Sequence, residues 1–180
     1  MKMKFSLWGF FFIVSTLLLA CTRKEDLWFE HIKNSIEKRA RVDPDSIVST
    51  YDEDSVRFDH YYVNGSEYKT KQFARNVFEY SRPYFLYIES EYNSDKTFEL
   101  RKDRYGDGTL SSEYILYKGF RYGPVTSYHP SGILGGQGIL YKDDVVGIYE
   151  KWGVDGTFLG KEDYKNEDKI DSILLIKFVE

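Results

Sequence analysis

Four patterns of apolar and polar residues succeed one another along the chain. Leu7 to Ala20 is apolar except for Gly9, Ser15 and Thr16. From Leu27 to about Arg41, Trp28, Ile32, Ile36 and Ala40 recur every fourth residue with Phe29 beside them, while Glu30, Lys33, Asn34, Glu37 and Lys38 fill the other side. That stripe predicts an amphipathic helix, with Asp26 placed to cap its start and Asp43-Pro44 to close it. Its mixed-charge polar face favours packing on a following sheet over lying on a membrane. Beyond it the period shortens to two. Ser46–Thr50 fits a short strand, and Ser55–Val63 alternates Val56, Phe58, His60 and Tyr62 against Arg57, Asp59, Tyr61 and Val63, ending in the hairpin turn Asn64-Gly65. Lys69–Tyr80 suits either a helix or a strand and is broken at Arg82-Pro83. Tyr84–Tyr92 and Lys96–Asp103 flank the polar Asn93-Ser94-Asp95, as a hairpin would.

The last pattern repeats itself. Asp107-Gly108, Ser131-Gly132 and Asp155-Gly156 are spaced 24 residues apart, and Tyr117-Lys118 and Tyr141-Lys142 recur at the same step, as do Gly123 and Gly147. A fixed period of this length marks a repeat array. Each unit reads as turn, strand, turn and returning strand, with glycine supplying positive φ at the turn. The expected product is a continuous antiparallel meander. Gly135, Gly136 and Gly138 mark a bulge or a close backbone approach within the second unit. Ile170–Val179 reads as a final strand that caps the array's edge.

The N-terminus adds a location. Lys2 and Lys4 precede the apolar run, and Cys21 follows it before the charged Thr22–Asp26. This is the layout of a secretory signal, and Leu18-Leu19-Ala20-Cys21 resembles the bacterial lipobox. The expectation is a removed signal peptide over 1–20, lipidation at Cys21, and a tether over 21–26. The chains on Cys21 would hold the protein to the cell envelope, most simply the outer membrane. Lys24-Glu25-Asp26 also resembles acidic signals that send some lipoproteins to the outer face, though a solvated tether reads equally well. A segment of helix plus strands would occupy 27–103 and the repeat sheet 104–180. Loss of Lys2 and Lys4 leaves 23 basic against 29 acidic side chains, a balance that argues against nucleic acid as a partner. Cys21 is the single cysteine, so disulfides are excluded. The 16 Tyr and 13 Phe lean the composition towards β structure.

The repeat spacing resembles the bacterial variant of the MORN repeat, as found in an antitoxin-like family. The unit's slots are filled by Tyr105, Asp107-Gly108, Leu110, Tyr117-Lys118-Gly119 and Gly123, then by Tyr128, Ser131-Gly132, Leu134, Tyr141-Lys142-Asp143 and Gly147. A third copy keeps Trp152, Asp155-Gly156, Phe158 and Tyr164-Lys165-Asn166 but lacks the closing glycine. Arg104, His129 and Gly153 stand where the family often has an aromatic. The resemblance implies stacked β-hairpins used for interaction, with no catalytic residues to carry over. The fold expected is mainly β: a meander of MORN-like hairpins preceded by an N-terminal helix and a mixed α+β segment.

No reaction is legible in these residues. Asp103-x-Tyr105-x-Asp107-Gly108 opens like a calcium loop but has Tyr at the third position and Tyr114 at the twelfth, where oxygen ligands are required. His31, His60 and His129 are isolated, without the spacing of a zinc site. Asp52-Glu53-Asp54 and Asp143-Asp144 suit solvated turns, and Gly132–Gly138 lies before a strand, not at the helix start a phosphate needs. The expectation is a protein without catalytic residues, metal or cofactor. Tyr114, Tyr122, Tyr128, Tyr149 and Trp152 recur near common heights on the meander. They either form an outward aromatic strip or stack on one another to hold the sheet. An outward strip would suit a protein partner, with a cognate toxin or a glycan as the alternatives.

Overall fold

The computed structural model describes residues 24–53, 56–75 and 84–178. The expected signal peptide, Cys21 and the expected break at Arg82-Pro83 lie outside them. Ten antiparallel strands form one sheet in strict sequence order: β1 Ser46–Tyr51, β2 Arg57–Val63, β3 Ser66–Arg75, β4 Tyr84–Tyr92, β5 Phe98–Arg104, β6 Leu110–Tyr117, β7 Phe120–Tyr128, β8 Leu134–Tyr141, β9 Asp144–Trp152 and β10 Phe158–Asp163. Helix α1 (Lys24–Ala40) and helix α2 (Glu167–Leu174) lie against one face.

The expected meander is the fold. The three Asp/Ser-Gly turns superpose in their hydrogen bonds. Gly108, Gly132 and Gly156 have φ of 90°, 79° and 83°. Their N–H groups donate to Tyr105, His129 and Gly153, and the N–H groups of those three residues donate onward to Thr109, Ile133 and Thr157. The alternate turns are of the doubly left-handed kind that matches strand twist. Lys118-Gly119, Lys142-Asp143 and Lys165-Asn166 all have positive φ, as does Asn64-Gly65. Equivalence extends to side chains: the Tyr105 hydroxyl donates to the Tyr128 carbonyl at 2.7 Å, and His129 Nε2 lies 2.9 Å from the Trp152 carbonyl one repeat later.

The stripe on α1 buries Phe29, Ile32 and Ile36 against Phe98, Leu100 and Ile115. Each such side chain contributes about 1.5–3 kcal/mol when removed from water. Trp28 links this cluster to a second one, built from Tyr122, Ile139, Val146 and Ile173. The helix starts at Lys24, so Asp26 lies in its first turn and does not cap it; the negative charge still suits the helix N-terminus. Each helix is seated over one of the repeat's central glycines. A methyl on Gly123 (φ 76°) would lie 2.6 Å from Trp28 Cζ3, and one on Gly147 (φ 64°) 3.0 Å from Ile170 Cδ1. The ungapped Gly123/Gly147 match is therefore a packing requirement as well as a backbone one.

Two expectations change. Lys69–Tyr80 resolves as strand β3 up to Arg75, and its remainder lies outside the described residues. The closing strand expected over Ile170–Val179 is instead α2 over Glu167–Leu174, followed by a tail whose Ile176 and Phe178 join the core. Ile170, Ile173 and Leu174 have the i, i+3, i+4 spacing of a helix, and a short apolar run cannot be told from a strand by hydropathy alone. No strand caps β10.

Beyond the apolar core the helix-bearing face carries an alternation of charge. Lys69 on β3 contacts Glu89 and Glu91 on β4 at 2.6 and 2.8 Å, Arg104 on β5 reaches Glu89 at 3.4 Å, and Lys102 reaches Glu113 on β6 at 3.8 Å. From α1, Lys33 meets Glu113 at 2.6 Å and Glu37 meets Lys102 at 2.9 Å. Opposite signs on successive strands fix their register, because a one-residue slip would turn every charge to the other face.

Candidate functional site

The opposite face carries neither helix. In the registered ladder, Glu99, Arg101 and Asp103 on β5 oppose Leu116, Tyr114 and Ser112 on β6, away from the core residues Phe98 and Leu100. The same face presents His60, Thr70 and Ser90 on β2 to β4, and Arg121, Val125 and Ser127 on β7.

Two clefts open there. The larger, about 340 Å³, lies among Asp103, Ser112, Tyr114, Arg121, Asp143 and Tyr149, over a floor of Val125, Leu140 and Val145. The smaller, about 250 Å³, is bordered by His60, Glu67, Ser90, Tyr92 and Arg101. Arg101 of the smaller cleft pairs directly with Tyr114 of the larger, so the two are neighbours on one surface.

Most charges here are matched. Asp103 accepts from Ser112 at 3.0 Å and Tyr114 at 2.9 Å. Burial, reinforced by the Asp103 charge, pushes the Tyr114 phenol up to about 12, so it is a fixed donor at neutral pH. Arg121 Nε donates to Asp143 at 2.7 Å, and the guanidinium carbon lies 5.7 Å from the Tyr114 ring centroid. Burial pushes the Asp143 carboxyl up, but its bonds from Arg121 outweigh that and hold it low. Glu99 accepts from Ser90 and from Arg101, each at 2.6 Å. Glu67 accepts from Thr70 and Lys96 and bonds His60, which together overcome its burial and keep its carboxyl below the usual range. Among the described residues, two sets of donors are left over in the larger cleft: the terminal nitrogens of Arg121 and the Tyr149 hydroxyl.

Tyr149 explains two of the glycines of β8, while Gly135 faces the His129 ring. Its ring lies across Gly136 and Gly138, where a methyl on Gly138 would come within 2.5 Å of Cδ2. The flanking strands shift register on both sides of this segment. What lies close to Gly136 and Gly138 is an aromatic ring laid along the strand, not the backbone expected there.

The five aromatics singled out by the repeat do not share a face. Tyr114 and Tyr149 line the larger cleft. Tyr122 belongs to the core beneath the helices, at 5.8 and 5.3 Å from the ring centroids of Tyr117 and Tyr141. Tyr128 is half-buried and accepts from Tyr105 through its carbonyl, and Trp152 lies tilted against Phe158, ring centroids 5.4 Å apart. Asp107, Gly108, Ser131, Gly132, Asp155 and Gly156 all lie in turns. Sequence reasoning missed Arg101 and Arg121, and read Asp103 only as the start of a calcium-like loop and Asp143 only as a turn residue. For β5 the signal was available: Phe98 and Leu100 point to the core, so Glu99, Arg101 and Asp103 must point away.

No group of three or more His, Cys, Asp or Glu side chains among the described residues is placed to hold a metal ion. No described helix is long and apolar enough to cross a membrane. No protein-family model matches the chain, and no curated protein matches it at a significant level.

Proposed function

We propose that this chain is a lipid-anchored envelope protein without catalytic activity, whose helix-free sheet face takes a protein partner. The observation that carries the reading is the division of the sheet: one face is sealed by α1 and α2, while the other displays aromatic rings, paired charges and two shallow clefts. Tyr and Arg are the residues over-represented where interfaces concentrate their energy. Carboxylates already bound to Arg, Lys, Ser or Tyr act as fixed recognition groups and are poorly suited to moving protons. The anchor is Cys21 in its lipobox-like setting, with the outer membrane as the destination. The equal hydrogen bonds at the three 24-residue turns support grouping the array with bacterial MORN-type repeats. The test is affinity capture of the lipidated chain from its native envelope, beside Arg121→Glu, which reverses charge at the centre of the open face. A partner recovered in equal amounts with both versions would refute the assignment to this face.

A second reading has its own observation. The unused nitrogens of Arg121, the Tyr149 hydroxyl and the adjoining tyrosine rings suit a sugar ring, which needs both stacking and hydroxyl recognition. Binding on a polysaccharide array that Tyr149→Ala abolishes would favour it, and a blank array would exclude it.

A further inference from the structure

The sheet ends in two edges that are built differently. β10 is protected in ways that natural sheets use against strand addition: Lys161, Glu162 and Asp163 charge it, and a register irregularity at Gly160 (φ 129°) interrupts it. β1 has none of these. Its sequence Ser46-Ile-Val-Ser-Thr-Tyr51 contains no charge, glycine or proline, is rich in β-branched residues, and is exposed along its length, with Ile47 at 53% and Tyr51 at 62%. An uncharged edge strand of high β-propensity is a template for another strand.

We propose that β1 pairs antiparallel with β1 of a second copy of this chain, joining two sheets into one across a two-fold axis. The backbone fixes which residues of β1 face outward. Asp52 N–H donates to the Val56 carbonyl, and Thr50 and Val48 follow on the same ladder opposite Phe58 and His60. Backbone direction alternates along a strand, so Ile47, Ser49 and Tyr51 turn their N–H and C=O groups outward. A two-fold axis through Ser49 sets Ser49 against Ser49 of the second copy and Ile47 against its Tyr51. That arrangement makes about six backbone hydrogen bonds and two aromatic–β-branched cross-strand pairs, a favoured combination. Val48 meets Thr50 on the other face, and no charged residue lies within the paired segment. Self-complementarity along the full strand, with the outward residues set by the backbone, is what selects a second copy over an unrelated strand. The axis stands normal to the sheet, so both open faces look the same way. Both α1 helices, each beginning three residues after Cys21, lie on the opposite side.

The test uses the full-length lipidated chain in its own envelope. Directly opposed hydrogen-bonded residues have Cα atoms about 5.5 Å apart, within disulfide reach, and Cys21 is the single native cysteine. Under mild oxidation, Ser49→Cys is expected to give a reducible band at twice the monomer mass. Leu159→Cys, equally exposed on β10, is expected to give none. Adding Ile47→Lys and Tyr51→Lys to Ser49→Cys should lower the dimer at least about tenfold while the melting transition stays in place. The proposal is overturned if Ser49→Cys stays monomeric, if both cysteines cross-link equally, or if Ser49→Cys is captured by a different protein.

Discussion

Gly123→Ala isolates the contact by which α1 is seated on the repeat sheet. Two separate costs meet at that position. Its φ of 76° lies in the left-handed region, where a Cβ costs roughly 1–2 kcal/mol. The new methyl would also stand 2.6 Å from Cζ3 and 3.2 Å from Cε3 of Trp28. That indole is hemmed in by the Phe98 ring at a centroid distance of 6.4 Å and by its own bond to the Ile176 carbonyl at 3.3 Å. Overpacking of this kind costs about 1–3 kcal/mol, giving a total of about 2–5 kcal/mol. Gly119→Ala provides the control, since Gly119 has φ 84° and nothing within 4 Å of an added methyl, leaving only the backbone cost of about 1–2 kcal/mol. The assay is urea unfolding of the four proteins in a cycle: wild type, Gly123→Ala, Trp28→Ala and the double variant. With the indole removed, Gly123→Ala should fall to the cost of Gly119→Ala. If Gly123→Ala costs no more than Gly119→Ala with Trp28 intact, the seating of α1 on this strand is wrong.

Other outcomes follow from the charge ladder and the open face. Burial pushes the Glu89 carboxyl up, but Lys69, Lys71 and Arg104 outweigh it and hold its folded value below the ordinary 4.5. The stabilisation is therefore present above about pH 4.5 and is lost as pH falls through the lower folded value. Glu89→Gln should flatten the loss of stability between about pH 5 and pH 3, measured as urea midpoints; an unchanged slope would refute the pairing. Tyr114 titrates the other way: its neutral form is favoured in the fold, so its contribution is intact below pH 10 and lost towards about 12. Ultraviolet titration should lose a late phenol in Tyr114→Phe, and no change above pH 11 would contradict this. Tyr149→Ala strips the cover from Gly136 and Gly138 and should cost about 1–3 kcal/mol. A thermal midpoint equal to wild type would show that the ring does not pack there.

Architecture was legible where a period was sustained. Ile32 and Ile36 marked the buried side of α1, and the glycine turns marked the meander. The C-terminal helix was not, because Ile170 to Ile176 carries too few polar residues for the eye to separate a period of two from 3.6. The Asn64-Gly65 hairpin was legible as a turn, but its likeness to the repeat was hidden. Asn64-Gly65 stands in the fold as Lys118-Gly119 does, and Tyr68 is buried as Tyr122 is, but the surrounding residues do not follow the repeat's pattern. The cleft was least legible of all. Tyr122 and Tyr149 are not equivalent in the repeat: the 24-residue step pairs Tyr122 with Val146 in the core and Val125 with Tyr149 on the open face, on either side of the bulge at each central glycine. The partners Arg121 and Asp143 sit 22 residues apart across a turn, close to the repeat length but outside any local motif.

The division between a sealed and a recognising face is tested most directly by photo-crosslinking in living cells. A photoreactive amino acid replaces Ser127 on the open face in one strain and Asn34 on the outward side of α1 in another. A discrete protein adduct from Ser127, absent from Asn34 and lost on adding Arg121→Glu, is the predicted result. An adduct from Asn34 alone, or the same adduct from both positions, would contradict it.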